Sequence, residues 1–450
     1  MPRKKRTFLL LITSILVSFT PLFTAVSAFA EETAQETTQE ETQTTSETFS
    51  VRAAAAFSVD VETGKILYNQ EGDTPMGIAS VTKIISLYLV LNEIKKGNLS
   101  WEDTVPISDY VENLSVTPDL SNVPLHQEST YTVRELFEAS LIQSANAAVA
   151  ALAEKIAGSE PEFVDLMRKQ LKDWGIKDAQ VINSSGLNNA YLGENIYEGS
   201  SPTDENELSA KDVAIVARHL IIDFPEVLEV SKITSKMFGE DTQSPVEMVN
   251  WNWMLPGFIN AKEGVDGLKT GTTDLAGACF VGTMTKEDRR IITVVLNATD
   301  HAVNPAARFD ETSKLMDYSF DQWTQKEVGK AGAAIPDLTD VAVKDGKVER
   351  VKVSLAAPVN MWIRSDMDTS QLTITPKLDK KLVKDNQVEA PLKEGDVIGK
   401  AELSLAADTL GYIDNSIKDE ADIKVDSTVE KANIFALAWR SVSSFFSNLF

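Results

Sequence analysis

Between residues 51 and 327 the chain places strand-forming runs at both ends and helix-forming runs in the middle. No other sequence feature narrows the possible folds as much. Ala54-Ala-Ala-Phe-Ser-Val59 and Ile66-Leu-Tyr68, separated by the turn Glu62-Thr-Gly-Lys65, read as a hairpin. Strand patterns return after Gly264, over Leu268–Thr273, Ala278–Thr285 and Arg290–Asn297. Between them, Val81 to Lys96 is apolar almost all round and stops at Gly97-Asn98, as a buried helix does. Thr132-Val-Arg-Glu135 is a capping box opening a helix toward Ile142. Ala147–Ala157, closed by Gly158, and Ser209–Ile222 are further helices, and Glu311–Trp323 closes the segment. The order implies an α/β domain of the α+β kind, with one antiparallel sheet built from both ends of the segment.

The flanks have different textures. Arg3-Lys-Lys-Arg6, an apolar run from Phe8 to Val17 and Ala28-Phe-Ala30 make residues 1–30 a signal peptide, with Val26-Ser-Ala28 as a second cleavage site. Residues 31–50 are Thr, Glu, Gln and Ser, the composition of a flexible spacer. Residues 328–427 carry short alternating runs such as Val351-Lys-Val-Ser-Leu355 and Gln371-Leu-Thr-Ile-Thr375, parted by turns such as Lys344-Asp-Gly346. They predict a small all-β domain. Within residues 428–450, Phe435, Trp439, Val442, Phe446 and Leu449 recur at helical spacing, with Phe445 and Phe450 widening the stripe. Such an amphipathic helix suits in-plane attachment to a membrane surface. Its serines and its length do not suit a span.

Formal net charge is −24, and removal of the four N-terminal cations takes it to −28. A chain so acidic lacks the basic face that nucleic acid requires. Cys279 is the only cysteine, so no intramolecular disulfide forms, and its apolar run predicts a buried small hydrophobe. His126, His219 and His301 are scattered, with no H-E-x-x-H string, so no metal site is expected.

Chemistry concentrates in three strings, each occurring once: Ser80-Val-Thr-Lys83, Ser144-Ala-Asn146 and Lys269-Thr270-Gly271. Ser80 and Lys83 share a helix face at i and i+3, so the amine can reach the hydroxyl. A serine becomes a nucleophile when a base takes its proton, and a lysine is such a base once burial or a neighbouring cation lowers its pKa. Lys269 is a candidate for that cation. Ser144-Ala-Asn146 reads as an extended link between helices, with both side chains entering one cleft: Ser144 as proton relay, Asn146 as holder of a substrate amide and of Lys83. Lys269, Thr270 and Thr272 lie on a strand edge, where they can bind a terminal carboxylate and an extended peptide, and Gly271 permits close approach. The Ser80 and Thr272 amides are candidates for an oxyanion hole. Composition alone yields roughly two S-x-x-K matches by chance in a chain this long. Their order and their helix, loop and strand contexts make the three strings one site.

With these strings, and with Asn183-Ser-Ser-Gly-Leu187 and Leu208-Ser-Ala-Lys-Asp212 between the second and third, the chain resembles the low-molecular-mass penicillin-binding proteins, specifically the serine-type D-alanyl-D-alanine carboxypeptidases. The resemblance covers roughly residues 50–450 and includes the β-domain and terminal helix. It implies a penicillin-binding/β-lactamase-like transpeptidase fold over residues 51–327. It further implies removal of the terminal D-Ala from peptidoglycan stem pentapeptides through an acyl-enzyme on Ser80, limiting cross-linking. β-Lactams would be covalent inhibitors, no cofactor would be needed, and the place of action would be the outer face of the bacterial cell membrane. Two rivals remain. A class A-like β-lactamase needs a glutamate to activate water, and Glu205-Asn-Glu-Leu-Ser209 nearly supplies its E-x-x-L-N string, but Ser209 replaces the Asn. The other is a non-catalytic wall-binding scaffold.

Overall fold

The structure is a computed structural model, and it describes residues 49–447. The readings of a signal peptide, of nearly all the spacer and of Leu449 and Phe450 lie outside the described residues.

The initial hairpin is β1 (Ala53–Asp60) and β2 (Ile66–Gln70). The helical block that follows holds α1 (Lys83–Lys95), α2 (Asp109–Ser115), α3 (Val133–Ile142), α4 (Asn146–Ala157), α5 (Glu160–Asp173), α6 (Ala210–Asp223) and α7 (Val227–Ser231). Then come β3 (Val265–Thr273), β4 (Gly277–Lys286), β5 (Arg289–Ala298) and α8 (Ala307–Gln322). The expected union of the two ends is present. The five strands form one sheet in the order β2-β1-β5-β4-β3, and every pair is antiparallel.

Neighbouring residues of a strand face opposite sides, so β5 serves two cores. Ile292, Val294 and Leu296 pack with α1 and α6. Ile291 packs with Phe309 and Met316 of α8 and with the β-domain. The capping box at Thr132 and Glu135 forms as read, and Gly158 ends α4 in the left-handed region. The first helix differs from its reading: Ala79–Thr82 form a 3₁₀ turn, and the α-helix begins at Lys83. The last helix begins earlier, at Ala307, and Trp323 opens a strand rather than closing the helix.

That strand, Trp323–Gly329, pairs with Val359–Arg364. The remaining strands of the mostly-β C-terminal domain form a seven-stranded sheet, antiparallel except where Asp340–Lys344 runs parallel to Gln387–Glu389. The β-domain grips the β1–β2 turn. Ile66 N donates to Gly411 O, Ile413 N donates to Gly64 O, and Lys65 Nζ donates to Asp408 Oδ2 at 2.5 Å. A final helix, α9 (Ile434–Ser447), lies beside this domain. Arg440 donates to the carbonyls of Gly346 and Lys347, while Ile434, Phe435 and Trp439 are exposed. Among the described residues no helix is long and apolar enough to cross a membrane.

Candidate active site

The 3₁₀ turn that carries Ser80 is held from two sides by glycines. A Cβ on Gly186, whose φ is +80°, would lie 1.9 Å from Ala79 O. A Cβ on Gly271 would lie 2.5 Å from Ile78 O. Gly271 therefore allows β3 to approach the chain's own serine turn, a role its reading as a place for substrate did not include. Ala79 itself has φ +48°, a conformation an L-residue adopts only when its surroundings enforce it.

Lys83, one turn on, is fully buried. Its Nζ donates to Ser80 Oγ at 2.8 Å, Asn146 Oδ1 at 2.7 Å and Ser185 O at 2.9 Å. All three partners are uncharged. Burial, reinforced by the nearby Lys269 cation, holds the Lys83 pKa well below that of an ordinary lysine, and Glu160 opposes the shift. The amide of Asn146 has a fixed orientation, because its Nδ2 donates to Ser121 O at 2.9 Å and so leaves Oδ1 for the amine.

The second string is not an extended link. Ser144 sits at φ +60° and Asn146 is the first residue of α4, so a left-handed turn rather than strand alternation brings Ser144 to the cleft and Asn146 to Lys83 behind it. The turn is braced by the end of the small hairpin Ser235–Val249 and the residues after it: Val249 N donates to Gln143 Oε1 and Trp251 Nε1 to Gln143 O.

The third string lies on β3, an edge strand of the sheet, with Lys269 opposite Val281 and Gly271 opposite Cys279. Lys269 is buried, and its Nζ donates to Thr270 O at 2.9 Å. Burial, with Arg308 close by, lowers its pKa to about 7. Arg308 Nη1 donates to Gly271 O and Cys279 O. Cys279 is buried as read, and burial raises its thiol pKa to about 11.

The strings meet in a cleft of about 390 Å³ lined by Ser80, Ser144, Thr270, Gly271 and Thr272, its other walls including Asp119, Ser121, Trp251, Trp253 and Arg308. Those last five were not among the residues read from the sequence, and Ser185, within the Asn183–Leu187 string, was read there without a role. Ser185 acts through a backbone carbonyl, which no residue type signals. Arg308 comes from a helix far along the chain. Glu205, the near match to the β-lactamase string, is elsewhere: its carboxylate accepts from Thr273 Oγ1 at 2.5 Å and Asn188 Nδ2 at 3.2 Å, and it does not line the cleft.

A serine against a buried lysine, a second serine beside them and a strand edge across the cleft define a serine acyl-transfer hydrolase that works without histidine. The sequence matches the D-alanyl-D-alanine carboxypeptidase family over residues 39–300 and the C-terminal domain of penicillin-binding protein 5 over residues 323–431. The chain belongs to the serine D-alanyl-D-alanine carboxypeptidase family, among the low-molecular-mass penicillin-binding proteins. It is 28% identical to the D-alanyl-D-alanine carboxypeptidase DacF of Bacillus subtilis, over 82% of this chain and 85% of that one. Among solved structures it is similar to a peptidoglycan synthesis regulatory factor (PBP3) from Streptococcus pneumoniae, at 41% identity and TM-score 0.67, over 85% of this chain and 100% of that one. It is also similar to penicillin binding protein 5 from Haemophilus influenzae, at 26% identity and TM-score 0.61, over 85% and 99% of the two chains.

Proposed function

We propose that Ser80 is the nucleophile and Lys83 the general base of a carboxypeptidase that removes the terminal D-Ala from peptidoglycan stem pentapeptides. The observation that carries this reading is the set of three partners around Lys83 Nζ. A neutral amine has two N–H bonds and one lone pair. Asn146 Oδ1 and Ser185 O can only accept, so they take the two hydrogens. The lone pair then faces Ser80, the one partner with a proton to give. Ser80 Oγ attacks the carbonyl of the penultimate D-Ala as its proton passes to Lys83. Charge on the carbonyl oxygen is met by the Ser80 and Thr272 amides. The proton returns through Ser144 to the leaving amine, D-Ala departs, and water hydrolyses the ester.

Lys269, Thr270 and Thr272 bind the terminal carboxylate, and the free edge of β3 aligns the peptide. Penicillins place a strained amide in the same position and acylate Ser80. Glu205 lies outside the cleft, so the string that resembles the β-lactamase E-x-x-L-N does not supply a water-activating glutamate there. A peptide ending in D-Ala-D-Ala should release D-alanine with the wild type and none with Ser80→Ala. Release by the variant would defeat the assignment of the nucleophile.

The protein acts on the wall from outside the cell, held to the membrane surface by α9. Support comes from the exposed Ile434, Phe435 and Trp439 on a helix whose attachment to the β-domain uses Arg440 and not that apolar face. Deleting residues 432–450 should move the protein from the membrane to the soluble fraction with peptide hydrolysis intact. Unchanged retention, with the signal peptide removed, would defeat the anchor.

A further inference from the structure

Behind Lys83 lies a buried carboxylate that the mechanism above does not use. Glu160, the first residue of α5, is 3% exposed. Among the described residues no lysine or arginine forms an ion pair with it. Its Oε1 accepts from Ser184 N at 2.8 Å and Ser184 Oγ at 2.6 Å, and its Oε2 accepts from Tyr110 OH at 2.7 Å. Isolating an anion this way is costly unless hydrogen bonds meet its oxygens, and here they do. Ser184 is also tied from its other side, since Ser86 Oγ on α1 donates to Ser184 O at 2.6 Å. The next carbonyl along, Ser185 O, is one of the two acceptors that orient Lys83.

We propose that Glu160 is a positioning residue: through Ser184 it fixes the Ser185 carbonyl that aims the Lys83 amine at Ser80. The inference rests on Lys83 being the base. The groups facing Glu160 are Tyr110 on α2, Ser184 on its loop, Glu154 on α4 and, one layer further, Lys83 on α1. Glu154 is itself held above the usual carboxylate range by burial, with Glu160 adding to the shift. The sign follows from the charges. The Glu160 anion favours protonated Lys83, in opposition to burial and Lys269. Removing the charge while keeping the shape must therefore free the amine at lower pH.

Glu160→Gln does this. Its amide oxygen still accepts from Ser184 and its amide hydrogens can meet Tyr110. The measurement is the second-order rate of Ser80 acylation by benzylpenicillin between pH 5 and 10, with melting temperature as a check on folding. Glu160→Gln should acylate at near the wild-type plateau rate, with its acid limb displaced to lower pH by roughly half a unit to one unit. Glu160→Ala, which loses the hold on Ser184, should lower the plateau by roughly ten- to a hundredfold. A plateau that stays at the wild-type value in folded Glu160→Ala, or an acid limb that moves upward in Glu160→Gln, overturns the inference. Failure of the wild type to acylate, or acylation of Ser80→Ala, would instead overturn the reading on which it rests.

Discussion

Of the three lysines buried with almost no exposure among the described residues, Lys65 and Lys83 are built in opposite ways. Lys65 lies where the catalytic and β-domains meet, and Lys83 lies behind Ser80 at the cleft. Lys65 Nζ donates to the carboxylate of Asp408 and to Gly411 O, and sits over the rings of Trp323 at 5.2 Å and Tyr412 at 5.3 Å. Lys83 meets three neutral oxygens, and the charge that acts most strongly on it is another cation. Burial lowers both pKa values, but at Lys65 Asp408 and Asp419 pull the other way, while at Lys83 Lys269 adds to the fall. A buried ammonium with an anion in contact joins two surfaces. One without it is kept close to losing its proton, which is what a base requires.

The most direct way to break this comparison is to remove each function in turn. Lys83→Met should lower kcat/KM for a D-Ala-D-Ala peptide by roughly a thousandfold or more, with benzylpenicillin acylation falling in parallel, because Ser80 loses its only proton acceptor. If acylation by the variant stays within tenfold of wild type, another group serves as the base.

Asp408→Ala addresses the other lysine. It leaves the Lys65 charge buried without its contacting partner, and thermal or urea unfolding should show a loss of about 3 kcal/mol, with kcat/KM per folded molecule unchanged. Adding Lys65→Met to it should recover most of that loss, since the stranded charge is then gone. A destabilisation that persists in the double variant would mean that Asp408 acts through contacts other than the ion pair.

The two lysines also differ in how far the sequence announces them. Lys83 falls in a string with Ser80 at i and i+3, and the helix, loop and strand contexts of the three strings were readable from periodicity and turn residues. The sheet that joins both ends followed from those same runs. Lys65 gave no such sign. It reads as one residue of a hairpin turn, and its partner is 343 positions away on a loop with no motif. The cleft shows the same division. Residues that act through side chains at short spacing were legible, whereas Ser185 acts through a carbonyl and Arg308 through packing of a distant helix. The left-handed turn at Ser144 was misread as extended because serine carries no marker for φ +60°. Glycines at 186 and 271 were visible as residues, but the backbone each one admits belongs to the tertiary fold.

The smallest effect concerns Lys269, which sharpens the comparison by standing between the two cases: buried like Lys83, but needed as a cation like Lys65. Its folded pKa is lowered from 10.5 to about 7 by burial and by Arg308. The folded protein therefore gives up this proton near pH 7, while the unfolded chain keeps it until near pH 10.5. Between those values the unfolded state holds more protons, so this group makes stability rise with pH. Below pH 7 the cost of the buried cation is present in full. Carboxylate binding has the opposite sign, because it uses the protonated form. As pH rises through about 7 the free enzyme loses that cation, and KM for a peptide with a free terminal carboxylate should rise several-fold by pH 9, with kcat nearly constant. A bound carboxylate holds the proton on Lys269, which is why the effect falls on KM rather than on kcat. The same peptide with its terminal carboxylate amidated should show a flat KM across that range. A parallel rise for both peptides would assign the alkaline limb to another group, and Lys269 would then be a cation that serves Lys83 alone.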